Sequence, residues 1–149
     1  RRDYGLSWSG LPSALLGMAG GMGFALLFLL VTGSLGSRLA ALTSHLAFIP
    51  LLATLLASLI PGIWEEFVFR GVIQGELKNL LRSPQLTVAV VAAVFTLFHS
   101  DRLQRFGHLG MGWLYLGFIF TGACFMGWLR EGYGLLPAML CHTLYNFVV

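Results

Sequence analysis

Two adjacent glutamates close an apolar run, Ile63-Trp64-Glu65-Glu66-Phe67-Val68-Phe69-Arg70-Gly71, and an arginine stands four residues after the second. Ionisable side chains are costly in hydrocarbon and are seldom kept there for packing alone. His99 ends another apolar run, and His142 and Asn146 stand within a third. Two carboxylates and two imidazoles drawn together in a bundle could hold a water molecule and make it a nucleophile.

Spacing assigns different parts to these groups. On a helix Glu65 and Glu66 point about 100° apart. Glu66 and Arg70 stand at i and i+4 with the acid first, the favourable order for an ion pair. Arg70 is therefore expected to neutralise and orient Glu66, which leaves Glu65 less compensated and free to face a cavity as a general base. The structural alternative is that both acids stabilise a helix N-terminus after Pro61-Gly62. His142 and Asn146 share a helix face and can both donate hydrogen bonds. They could form an oxyanion site or tie helices together. His99, with Phe95 one turn earlier, could also be a partner of a helix C-terminus.

The remaining polar residues read more simply. His45 is expected at an interface, and His108 in a solvated loop after Asp101-Arg102-Leu103-Gln104-Arg105. Arg130 and Glu131 read as a loop charge pair. Cys124 and Cys141 lack CxxC spacing and are expected to be buried free thiols. HExxH and GxSxG are both absent, so the common zincin and serine-hydrolase signatures are missing. Glu65, His99 and His142 could in principle offer three ligands to zinc, but their spacing is dispersed.

These residues must be positioned by membrane helices. Of 149 residues, 57% are hydrophobic and 10% charged, with mean hydropathy +0.82, whereas soluble domains carry about 25% charged residues. The length fits one domain, 1–149, with the chemistry-bearing stretch in 49–149. The chain lacks an initiator Met and stays apolar to Val149, so it reads as an excerpt. Open sheets cannot satisfy their backbone in lipid. The expected fold is all-α, a polytopic transmembrane bundle of about five spans near 11–32, 42–64, 85–100, 109–129 and 134–149. The second span is expected to end or kink at Pro61-Gly62. One further helix, Glu65 to Leu81, would be re-entrant or interfacial. Gly17 and Gly21 form a GxxxG that permits close helix contact. Gly112, Gly117, Gly122 and Gly127 recur every five residues and read as general thinning of a helix. The net charge of +3 lies between apolar runs and suits a bilayer partner. No basic stripe accompanies the aromatics, which argues against nucleic acid. Lys and Arg are more numerous on one side, favouring a cytoplasmic N-terminus.

Glu65-Glu66-Phe67-Val68-Phe69-Arg70, then Phe95-Thr96-Leu97-Phe98-His99, then His142-Thr143-Leu144-Tyr145-Asn146 resemble, in this order, the EExxxR, FxxxH and HxxxN motifs of the CAAX protease and bacteriocin-processing (CPBP, or Abi) family. Phe69 and Gly71 give the EExxFRG form typical of its bacterial members. The resemblance implies an integral, multi-pass intramembrane endopeptidase of the bacterial plasma membrane, acting on a membrane-anchored or lipidated peptide or protein. It implies that Glu65 activates water, His99 holds it, His142 and Asn146 stabilise the oxyanion, and Glu66 and Arg70 support the site. Members are often labelled metalloproteases. No cofactor is favoured here, because no two ligands share i, i+4 spacing and Asn146 is a poor zinc ligand. Some relatives imply the alternative, a non-catalytic membrane scaffold or a bacteriocin-immunity, partner-binding protein. A proton-relaying transporter is a third class, against which stands the lack of an inverted repeat.

Overall fold

A computed structural model describes residues 10–44, 48–103 and 111–149, and only the backbone of Leu42, Ser44, Phe48, Ile49 and Arg102. His45, Gln104, Arg105 and His108 lie outside the described residues. Within them the chain is helical and has no strand. Helix α1 (Leu11–Val31) carries Pro12 in its first turn, where the missing N–H would lack a helical partner anyway. A short α2 (Leu35–Ser44) follows. Next come α3 (Phe48–Glu66), a π-helical turn (Phe67–Ile73) and α4 (Gln74–Leu81), continuous with one another. Ser83 caps α5 (Pro84–Phe98) by accepting the Leu86 N–H at 3.3 Å. The bundle ends with α6 (Gly112–Tyr133) and α7 (Leu135–Val148).

Three expectations are corrected. The helix does not end at Pro61-Gly62, and Glu65 to Leu81 is not a separate helix: Pro61 lies inside α3, and the helical backbone is continuous from Phe48 to Leu81. Proline removes one helical hydrogen bond, and here the loss falls where Ala57 and Pro61 line a cavity. Arg130 and Glu131 are also not in a loop but in the last turns of α6, with Arg130 buried.

Among the described residues three stretches are long and apolar enough to cross a membrane, Leu11–Val31, Pro50–Leu81 and Gly112–Tyr133. Helices α5 and α7 are apolar but only 15 and 14 residues long, below the roughly 20 needed to span hydrocarbon. The surface is apolar, with Leu15, Leu30, Leu55, Ile60, Trp64 and Trp113 among its exposed residues. The interior holds Ser58, Glu66, Arg70, Gln74, Thr87, Arg130 and His142. Polar groups inside and apolar groups outside suit a protein whose solvent is lipid.

Small residues let α7 lie between α1 and α3. A Cβ at Gly17 would collide with the Pro137 carbonyl oxygen and sit 2.8 Å from its Cα, and one at Gly21 would collide with the Cys141 carbonyl oxygen and sit 3.0 Å from its Cα. The GxxxG thus closes a contact within this chain. On the other side, a Cβ at Gly62 would meet the Thr143 amide at 2.9 Å. Helix α6 turns into α7 through Gly134 alone, at φ 91° and ψ −176°, a conformation essentially reserved for glycine. Arg38 donates to the Val148 and Phe147 carbonyls at 2.8 and 3.1 Å, satisfying acceptors that a helix C-terminus leaves open.

Gly62→Ala is expected to destabilise the bundle by about 1–3 kcal/mol through overpacking. Gly117→Ala, with nothing within 4 Å of its Cβ, should be neutral or slightly stabilising. Thermal melts of both variants in detergent would test this contrast.

Candidate active site

The π-turn sets the local geometry. Its seven residues follow the two glutamates directly, and at its end the Gln74 N–H bonds back to the Phe69 carbonyl, five residues earlier. A π-turn winds in an extra residue and so re-aims the side chains that follow it. Phe69, Arg70 and Gly71 within it are all buried.

Glu66 and Arg70 are both fully buried, and Arg70 Nη1 donates to Glu66 Oε1 at 2.9 Å. The Arg70 Nη2 donates to the Ala123 carbonyl of α6 at 3.1 Å, and its guanidinium carbon lies 4.4 Å from the centre of the Phe95 ring, a cation–π contact. Across the bundle His142 Nδ1 lies 2.8 Å from the same Glu66 Oε1. A carboxylate held by arginine accepts hydrogen bonds, so Nδ1 of His142 carries the proton.

Glu65 has different surroundings. Its side chain is 29% exposed, whereas that of Glu66 is wholly buried. Its Oε2 is 3.7 Å from His99 Nε2 and 3.9 Å from His142 Nε2, and this oxygen is buried without a hydrogen-bond partner. His99 Nδ1 lies 2.9 Å from the Phe95 carbonyl. Because a carbonyl can only accept, that nitrogen holds the proton and Nε2 faces Glu65 with its lone pair. Phe95 packs against both imidazoles, with ring centres 4.4 Å from His99 and 5.9 Å from His142.

Glu65, His99, His142 and Asn146 line one cavity of about 520 Å³. The α3 wall adds Thr54, Ser58 and Pro61; Phe24, Phe28, Phe118, Ile119 and Met126 give much of the rest an apolar character. Thr54 and Ser58 each donate their hydroxyl to the carbonyl one turn back, at 2.9 and 2.8 Å. Towards the cavity they therefore offer mainly oxygen lone pairs. Zinc at about 2.0–2.2 Å from its ligands holds neighbouring donors roughly 3.3–3.5 Å apart in a tetrahedron. The Glu65–imidazole gaps are wider, and no group of three His, Cys, Asp or Glu among the described residues has the arrangement to hold a metal. A gap bounded by a carboxylate oxygen and two imidazole nitrogens suits a water molecule.

The structure thus brings together Glu65, Glu66, Arg70, His99 and His142, and places Asn146 on the same cavity wall. It adds residues that sequence reasoning did not select. Gln74 is fully buried and donates to the Gly127 carbonyl at 3.1 Å and to Glu131 at 2.9 Å. Arg130 Nε donates to the Arg70 carbonyl at 3.1 Å. The available signal was the i, i+4, i+8 series Arg70, Gln74, Lys78, a polar stripe on one helix face. Cys124 and Cys141 are both free, and Cys141 is buried at the cavity.

Removing one partner of a buried ion pair strands the other. Arg70→Met should therefore cost about 3–5 kcal/mol, and Glu66→Gln combined with Arg70→Met should recover much of that loss. Unfolding free energies for the single and double variants would check the coupling.

The family model described as type II CAAX prenyl endopeptidase Rce1-like matches residues 47–148. No curated protein matches the chain. No solved structure matches it either. The match covers more than half of the chain, contains all three motifs, and agrees with the helical, membrane-suited architecture. The chain belongs to the Rce1-like family of CAAX prenyl endopeptidases, integral membrane proteases that act on membrane-associated substrates.

Proposed function

We propose that this family member is an intramembrane endopeptidase that hydrolyses a peptide bond of a membrane-associated or lipidated peptide or protein, using a water activated by Glu65. The observation that carries this reading is the Glu65 Oε2: it faces two imidazole nitrogens within 3.9 Å and has no protein partner. It also borders a cavity large enough for a peptide segment. The EExxFRG form of the motif supports a bacterial plasma membrane as the location.

In this mechanism water sits between Glu65 Oε2 and His99 Nε2. Glu65 takes one proton as the oxygen attacks the scissile carbonyl, then passes it to the departing amine. His99, fixed by the Phe95 carbonyl, holds the water by accepting its second hydrogen. The tetrahedral oxyanion is met by Asn146 and His142. With Nδ1–H committed to Glu66, His142 donates from Nε2 as an imidazolium. As Glu65 takes its proton the oxyanion replaces that carboxylate, so with Glu66 it is balanced by one guanidinium and one imidazolium. Glu66 and Arg70 do not touch the substrate; they hold His142 and the helix carrying Glu65. The step needs no metal.

The test uses purified protein in liposomes with farnesylated CAAX peptides and other lipidated or membrane-anchored peptides, read by mass spectrometry. Wild type should cleave with or without chelator. Glu65→Gln should lose activity by a factor on the order of 10² or more, as expected for removal of a general base, while keeping its melting temperature. Normal cleavage by Glu65→Gln would sink the mechanism. Loss with chelator and recovery with zinc would replace it with a metal-assisted one. A folded wild type that cleaves none of the peptides would favour a partner-binding role.

A further inference from the structure

Behind Arg70, away from the cavity, lies a second polar cluster that the hydrolysis does not use. Arg70, Gln74 and Lys78 follow one another along one helix, and Ala123, Gly127 and Glu131 along α6. The rungs between them are Arg70 Nη2 to the Ala123 carbonyl at 3.1 Å, Gln74 Nε2 to the Gly127 carbonyl at 3.1 Å, and Lys78 Nζ to Glu131 Oε2 at 2.6 Å. Gly127 has no side chain because Gln74 and Val88 occupy the space: a Cβ there would meet Val88 Cγ1 at 2.9 Å. Arg130 crosses the ladder. Its Nε donates to the Arg70 carbonyl at 3.1 Å, and its Nη1 to Glu131 Oε1 at 2.8 Å. Glu131 Oε1 also accepts from Gln74 at 2.9 Å.

Backbone chemistry explains why a buried arginine belongs there. Where a π-turn returns to α-helical bonding, the shift from i+5 to i+4 leaves one carbonyl without a helical amide. In a region without water such a carbonyl needs another donor. Arg130 donates to a carbonyl of the π-turn itself, and Gln74 pins the residue that closes the turn. We propose that Arg130, Gln74 and Glu131 are positioning residues that hold the π-turn in register, and through Arg70 and Glu66 fix the His142 imidazole beside Glu65. The effect passes along direct contacts: Arg130 to the Arg70 backbone, Arg70 to Glu66, and Glu66 to His142 Nδ1. The catalytic part of this role rests on the proposed hydrolysis; the geometric part does not.

The test places the full chain, with ¹⁵N-labelled histidine, in lipid nanodiscs. The His142 Nδ1 resonance, assigned with His142→Gln, reports the hydrogen bond to Glu66 without any turnover. Arg130→Gln should move that resonance beyond its line width, and Arg130→Lys, which keeps a donor for the carbonyl, should move it less. Lys78→Ala, at the half-exposed end of the ladder, should leave it in place. If Arg130→Gln does not fold, Gln74→Leu takes its place with the same expected shift. With a farnesylated peptide that wild type cleaves, kcat should fall by a factor on the order of ten to a hundred, as sub-ångström to ångström misplacement does, while KM stays nearly constant. A folded Arg130→Gln or Gln74→Leu protein whose His142 resonance is unmoved overturns the proposal, whether or not any peptide is cut. If the resonance moves as expected but no peptide is cut by wild type, the positioning stands and the hydrolytic reading fails.

Discussion

The Glu66–Arg70 ion pair is the constraint to which the other helices answer. Both side chains are wholly buried in a protein whose outer surface is apolar. Coulomb attraction alone does not offset the desolvation of such a pair; the remaining lone pairs and protons need partners as well. Those partners come from three other helices. Helix α6 gives the Ala123 carbonyl, α5 the face of Phe95, and α7 the imidazole of His142. A helix displaced from this arrangement leaves a charge or a donor stranded in hydrocarbon. The pair therefore selects one packing of the bundle among the many that apolar surfaces would tolerate, since lipid gives little preference among them.

The two glutamates divide a task that neither could perform alone. Glu66 is wholly buried and its Oε1 is held by both Arg70 and His142, so its chemistry is structural. Glu65 is one residue earlier, turned toward the cavity, with an oxygen left open. The same helix thus buries one charge as an anchor and presents the other. Phe95 is shared between them: it packs against Arg70 and against both imidazoles.

Much of this constellation was legible because charge is scarce in the sequence. In an apolar chain, Glu65, Glu66, Arg70, His99 and His142 stand out, and i, i+4 spacing already paired Glu66 with Arg70. The helical class followed from hydropathy. What stayed hidden depends on contacts between distant segments. Pro61-Gly62 read as a break, yet Gly62 is small because α7 passes at Thr143, and the helical backbone continues. Nothing in Phe67–Ile73 marks a π-turn, since the change is in hydrogen-bond pattern rather than composition. Arg130 and Glu131, followed by Gly132 and Gly134, looked like a loop; their partners at residues 70, 74 and 78 are more than fifty positions away. The number of membrane crossings was also beyond composition, because α5 and α7 are apolar but short.

The slot between α1 and α3 has a temporal meaning. Helix α7, which fills it, carries His142 and Asn146 and is synthesised after every other helix described here. Until it arrives, Glu66 lacks one of its partners and the cavity lacks a wall. A ribosome-bound chain can thus insert its earlier helices while its Glu65 faces only part of the machinery. The turn at Gly134 then brings α7 back against the earlier helices and completes that wall.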